Sequence, residues 1–337
     1  MPRSPVPARA ALAALIAVAS LRCGESTSPG NAARAETITA SDMRRWIERL
    51  ADDSMRGRAT PSPEIEQAAT TIAAYLRRLG LRPGFPGDRY ILHYPAPPTD
   101  STATDSAPIV AAVLPGRDPA LSAQYVAFVA HLDGLGVGPE IGGDSIYNGA
   151  DDNASGVAAV LEIAEAFVGT DPLPRRSLLF LLVSGEELKY WGSLWYVDHP
   201  SVPLADIAGL ENLDMIGRNG RDTVRVGGRD LTTMGWTFSA ALEAHPELGF
   251  TVVAPSPQSG SDFVPFWVMG VPWLHFFTGL HADFHKPSDE PSRVDADKAA
   301  RVARLAFHTA LMVSNADARP IWLTSPAPPA ASRRDGP

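Results

Sequence analysis

From Thr39 onward, apolar positions recur every three or four residues in SDMRRWIERLADD and again in PSPEIEQAATTIAAYLRRLGL. This spacing predicts two amphipathic helices, the second ending at Gly80. Further along, the period changes. Apolar runs of strand length appear in YVAFVAHLD (125–133), RSLLFLLVSGEE (176–187), AGLENLDMIG (208–217), TVRVGG (223–228) and VPWLHFFTG (271–279), with FTVVAP (250–255) extended. Helical segments lie between them: 155–167, a short one around 191–197, 231–245, 261–270 and a closing helix over 294–314. Apolar strands that alternate with helices predict an α/β fold with a mostly parallel central sheet covered by helices on both faces. Residues 97–106 read as a loop too short to hold an inserted domain, and no internal repeat is visible.

The pattern occupies residues 38–323 of the 337 and reads as one domain. Residues 1–22 carry Arg3 and Arg9 followed by an apolar stretch over 10–21, too short to span a bilayer as a stable helix, and read as an export signal. The only cysteine, Cys23, follows at once in SLRCGES. This start resembles a bacterial lipoprotein signal, which implies a lipid anchor through Cys23 and a periplasmic or cell-envelope location. Arg22 departs from that pattern, where a small residue is usual, and cleavage near 33–35 with secretion is the alternative. Residues 23–37 read as a flexible tether and 324–337 as a disordered tail.

Composition narrows the choice of partners. A single cysteine excludes an intramolecular disulfide, so stability rests on a core that a 45% hydrophobic content can supply. A formal net charge of −9 argues against nucleic acid or an anionic membrane surface as partner.

Candidate chemistry gathers where predicted strands end, which is where ligands sit in sheets of this kind. One run ends in AHLDGLG with His131 and Asp133, another in SGEEL with Glu186 and Glu187, and a third in NLDMIG with Asp214. His131 and Asp133 are two apart, so in a strand they share a face and the carboxylate is expected to accept a hydrogen bond from the imidazole. Asp152 lies in the Gly- and Asn-rich turn NGADDNASG, and His285 in the loop LHADFHKPSDEP. Two imidazoles and three carboxylates suit zinc, and they suffice for two ions if one carboxylate bridges. The Glu186–Glu187 doublet lets one carboxylate ligate while the other stays free as a base.

Taken together and in order, AHLDGLG, GDSIYNGADDNASGVAAVLEIA, SGEELKYWGS, NLDMIGR and FFTGLHADFHKPSD resemble the secreted di-zinc aminopeptidases of peptidase family M28, over roughly residues 38–315. The resemblance implies a zinc-exopeptidase (phosphorylase/hydrolase-like) fold, two Zn²⁺ ions and peptide substrates shortened from the amino end. It implies that Asp152 bridges the ions, that His131 and Asp214 complete one site, and that Glu187 and His285 complete the other. It further implies Glu186 as general base, Asp133 in a supporting catalytic role and a cis peptide at Asp152–Asn153. Two positions depart from the family pattern. Phe284 stands where relatives often carry a tyrosine able to hold an oxyanion, and Phe263 where they often carry histidine.

Other readings remain open beside these. Carboxypeptidases and dipeptidases share the metal core, glutaminyl-cyclase-like transferases share the fold but use one zinc and lack the His-x-Asp pair, and a non-catalytic binding homologue would usually have lost ligands or base. His281 has a supporting or substrate-side role as an even alternative to packing, whereas His275 reads as core. Asp151 and Asp144 read as turn formers or supports. Arg218 reads as structural or substrate-facing. Trp191, Trp195, Phe266, Trp267 and Trp273 read mainly as packing, with an apolar substrate pocket as the alternative.

Overall fold

A computed structural model of the chain describes residues 29–96, 106–254 and 260–323. The expected export signal, Cys23 and the expected tail at 324–337 lie outside them. Part of the expected tether lies inside, and there the expectation is corrected. Helix α1 (Pro29–Ala32) runs into a 3-10 turn (Ala33–Thr37) whose Ala35 is buried. Asn31 fastens this segment to the domain, donating to the Pro172 carbonyl at 2.8 Å and accepting from the Asp171 N–H at 2.8 Å. The small polar residues that suggested flexibility find partners about 140 positions away, which local composition does not register.

Helices α2 (Ala40–Leu50) and α3 (Pro63–Arg78) form where the periodicity predicts them. Each is opened by a hydroxyl cap: Thr39 accepts from the Asp42 N–H and Ser62 from the Ile65 N–H. Strands β1 (Arg82–Pro83), β2 (Ile91–Pro95) and β3 (Ser106–Leu114) follow with no helix between them among the described residues, and the strand–helix pattern passes over all three. Next come β4 (Tyr125–His131), a hairpin of β5 (Gly136–Ile141) and β6 (Asp144–Tyr147), α4 (Gly156–Val168) and β7 (Ser177–Val183). Helix α5 (Trp191–Asp198), β8 (Ile207–Leu213), β9 (Thr223–Gly227) and α6 (Met234–Ala244) lead to β10 (Thr251–Val253). The chain then forms α7 (Phe263–Val268), β11 (Trp273–Phe277) and α8 (Ala296–Asn315).

The main sheet runs β1-β3-β7-β4-β8-β11-β9-β10, with β2 also beside β3. Its centre, β7-β4-β8-β11, is parallel, as is the β9–β10 pair. Strands β1, β2 and β3 extend one flank antiparallel, and β9 runs antiparallel to β11. Helices cover both faces. One face packs Val126, Phe128, Leu178 and Phe180 against α2, α3, α4, α6 and α8, with the Phe128 and Phe180 rings stacked at 5.4 Å. The other packs Ala127, Val129, Leu179 and Leu181 against α5 and α7. β7 is buried along its whole length, so its apolar run has no polar alternation.

Register determines where the chemistry goes. His131 pairs with Val183 and Leu213 with Phe276, so the carboxyl ends of β4, β7, β8 and β11 reach the same edge of the sheet.

Candidate active site

His131 is the last residue of β4, and Asp214 follows the last residue of β8, so both are placed by the sheet ladder. Asp152 comes from the turn ahead of α4. Gly149 opens that turn at φ 59°, and a Cβ there would lie 2.3 Å from the Asp152 carbonyl, so only glycine is accommodated. The Asp152–Asn153 peptide is cis. Glu186 and Glu187 follow β7 through Gly185, and His285 sits on the loop after β11.

The structure brings these side chains together in two trios that share one carboxylate. His131 Nε2 lies 3.2 Å from Asp152 Oδ1 and 3.4 Å from Asp214 Oδ1. Across the same carboxylate, His285 Nε2 lies 3.2 Å from Asp152 Oδ2 and 3.3 Å from Glu187 Oε2. Within each trio the ligand-type atoms all fall within 4.8 Å of one another. The residues present fit zinc. His131 Nε2 and Asp214 Oδ1 are buried without a hydrogen-bond partner, an arrangement that is costly for protein groups alone and natural around a cation.

As protein groups alone, the members hold one another in charged form. Burial pulls the His131 pKa down, but Asp214, Asp133 and Asp152 together push it well above the usual imidazole range. For His285, burial is likewise outweighed by Asp152 and Glu187, and its pKa rises to about 10. Burial raises the pKa of both Asp152 and Glu187, yet their net directions differ. Asp152 faces two imidazoles and ends below the usual carboxylate range, whereas Glu187 faces one, lies beside Asp152 and ends above it.

Glu186 belongs to neither trio. It is half-buried, and burial, with Asp262, Asp214 and Glu187 nearby, raises its pKa well above the usual value despite His131. Asp133 behaves differently from the sequence expectation. His131 Nδ1 lies 3.2 Å from the Asp133 backbone carbonyl and 3.7 Å from its carboxylate, so the carbonyl is the acceptor. The carboxylate instead accepts from the Glu186 N–H at 3.2 Å, tying the β4 end to the glutamate turn. At the end of a strand the chain turns, and the two-residue alternation that predicted the side-chain contact no longer holds.

Three residues that the sequence analysis did not single out support the site. Asp289 accepts from the N–H groups of Asp151 and Asp152 at 3.0 and 3.1 Å, joining the His285 loop to the Asp152 turn. Asp262, fully buried, accepts from the Ser193 hydroxyl at 2.6 Å, and burial with Asp133 and Asp214 nearby, against His131, pushes its pKa to about 7. Arg58, also fully buried, is bound to backbone carbonyls around the site. KPSDEP carries a turn signal that points at Asp289, but nothing local distinguishes Arg58 or Asp262.

The remaining readings fall out as follows. Asp151 is buried, accepts from the Gly217 N–H at 2.7 Å and lies 3.4 Å from His281 Nε2, so His281 backs the Asp152 turn from outside both trios. Asp144 forms the β5–β6 turn by accepting from the Ile146 N–H at 3.0 Å. Arg218 pairs with Asp283. His275 is buried, and burial lowers its pKa to about 4. Phe266 and Trp273 pack in the core, where Phe263 stacks on Trp273 at 3.9 Å, so Phe263 serves packing. Phe284 stacks on the His285 ring at 3.7 Å.

The model of Peptidase family M28 matches residues 109–310. Leupeptin-inactivating enzyme 1 of Streptomyces exfoliatus is 34% identical over 154 residues, covering 44% of this chain and 34% of that protein. The chain spans about a third of the length of the curated relatives it matches. Among solved structures, the zinc aminopeptidase BSAP from Bacillus subtilis has a similar fold, with TM-score 0.66, 14% identity, and 81% of this chain and 94% of that chain covered. Glutaminyl cyclase of Porphyromonas gingivalis also has a similar fold, with TM-score 0.64, 18% identity, and coverage of 81% and 97%.

Proposed function

The chain belongs to peptidase family M28, and from that premise we propose that it is a di-zinc aminopeptidase, an exported hydrolase that removes amino-terminal residues from peptides. The observation that carries the reading is the shared Asp152, whose two carboxylate oxygens face two separate trios while Glu186 stands outside both. In this reading His131, Asp152 and Asp214 hold one zinc, and Asp152, Glu187 and His285 hold the other. Bound zinc supplies Lewis acidity, polarising the scissile carbonyl and lowering the pKa of water.

The chain's own residues do the rest. Glu186 takes the proton of the attacking water and returns it to the leaving amine, a role suited to a carboxylate whose proton affinity burial raises above the usual value. Asp133, through its hydrogen bond to the Glu186 N–H, holds that turn in place. The similar fold of the zinc aminopeptidase BSAP supports an aminopeptidase over a carboxypeptidase.

Zinc analysis combined with matched free and amino-blocked peptides tests this. Two zincs per chain with cleavage of free peptides from the amino end is the expected result. One zinc with cyclisation of amino-terminal glutamine would move the chain to the cyclase class, and shortening from the carboxyl end would overturn the amine assignment. The proposal extends to export with lipid attachment at Cys23, supported by the apolar stretch that precedes this sole cysteine. The intact mass of the mature chain, compared with that of Cys23→Ser, tests it.

A further inference from the structure

Arg58 lies in the segment DSMRGRA between α2 and α3, where Arg56, Gly57 and Arg58 all adopt positive φ, at 45°, 68° and 50°. That bend drives the guanidinium inward until the residue is 1% exposed. Its donors go to main-chain oxygens: Nε to Leu132 at 3.1 Å, one terminal nitrogen to Asn148 at 2.9 Å and to Leu50, and the other to Gly149 at 3.1 Å. The Arg58 carbonyl in turn accepts from the Gly134 N–H at 3.3 Å. The side chain therefore bridges the Leu132 carbonyl, between His131 and Asp133, to the turn that delivers Asp152, and the Arg58 main chain adds the Gly134 contact. Lysine cannot reproduce this, because the contacts diverge in the plane of a fork.

Charge acts in the same direction as geometry. A buried guanidinium without a hydrogen-bonded carboxylate is normally expensive. Burial lowers its pKa to about 10, but Asp133, Asp289, Asp152 and Glu187 oppose that shift across the short distance to the site. The cation thus faces the carboxylate cluster from behind, where it compensates part of the cluster's negative charge without touching any ligand atom.

We propose that Arg58 is a positioning residue for the metal centre, holding the His131 strand end and the Asp152 turn at the separation zinc requires. This rests on the zinc reading above. Its test is zinc affinity rather than turnover: chelator competition on the purified full chain, and the zinc-dependent rise in Tm, for Arg58→Met and Arg58→Lys beside the unmodified chain. Loss of partners behind metal ligands typically weakens metal binding by about 10- to 100-fold. A loss in that range is expected for Arg58→Met, with a smaller loss for Arg58→Lys, which keeps the charge and loses the fork. The zinc-dependent rise in Tm should shrink in the same order.

A purely structural role would lower Tm with and without zinc equally while leaving affinity within twofold, and that result overturns the proposal. If Arg58→Met does not fold, Arg58→Lys decides alone by the same criterion. Absence of zinc binding by the unmodified chain would overturn the functional reading itself, an outcome distinct from normal zinc binding by the variants.

Discussion

The two trios share Asp152 and differ in almost everything else. His131 and Asp214 stand at the ends of β4 and β8, are buried, and owe their separation to sheet register. Glu187 and His285 stand on loops, and the His285 side chain is 41% exposed at a backbone φ of 56°. A strand end is positioned by a ladder of hydrogen bonds that the whole core supports. A loop ligand is positioned by a few side-chain contacts, here Phe284 stacked on His285 and Asp289 gripping the Asp152 turn. One centre thus combines a rigid half with an adaptable half, and zinc in the first is expected to be held more tightly than in the second.

Removing the shared ligand abolishes the distinction between the halves. Asp152→Ala should release both zincs and lower turnover by about 10⁴-fold or more, because two Lewis-acid contributions of several kcal/mol disappear together. Metal analysis alongside kinetics checks it, and retention of both zincs would break the shared-ligand geometry. Glu186→Gln leaves both halves intact, so zinc content should be unchanged while turnover falls by about 10³-fold. Loss of zinc in this variant would place Glu186 among the ligands instead.

Single-half variants sharpen the contrast. His285→Ala should retain a single tightly held zinc, whereas His131→Ala should lose the tight component in chelator titrations; equal retention by the two would show that register confers no advantage. A pH series reads the same loop directly. In the chelator-stripped chain His285 is held charged by Asp152 and Glu187, its pKa raised to about 10 although burial opposes this. A raised folded-state pKa stabilises fully below about pH 6.5, the usual imidazole value, and that contribution fades as pH climbs toward 10. Zinc needs the neutral imidazole, so its binding tightens over the same window. Tm of the stripped chain should therefore fall from pH 6.5 to 10 while the zinc-induced increment grows, and His285→Asn should flatten the first slope. The smallest effect is expected from Phe284→Ala, since losing one ring stack should weaken second-site zinc by about tenfold at most.

What the sequence made legible follows from how each residue is held. The five ligand candidates could be named because four of them end or follow apolar strand runs and Asp152 sits in a Gly- and Asn-rich turn, all local signals. Arg58 could not, because its partners Leu132 and Gly149 lie 74 and 91 residues away along the chain. The same cause hid the docked segment at 29–37, and Asp262 looked like the start of a helix. Strands β1 to β3 were missed because antiparallel flanking strands need no helix between them.

By itself the sequence determined the alternating α/β architecture, the order in which metal-competent residues reach strand ends, and the glutamate doublet that follows β7. These depend on local periodicity and on the rule that strands of one sheet deliver their carboxyl ends to one edge. Only the tertiary structure decided that the Asp133 main chain rather than its side chain meets His131, that Asp289 grips the Asp152 turn, and that a buried arginine joins that turn to the end of β4. Each of those contacts joins segments whose separation along the chain exceeds what local pattern can encode, or lies where a strand turns out of its regular alternation.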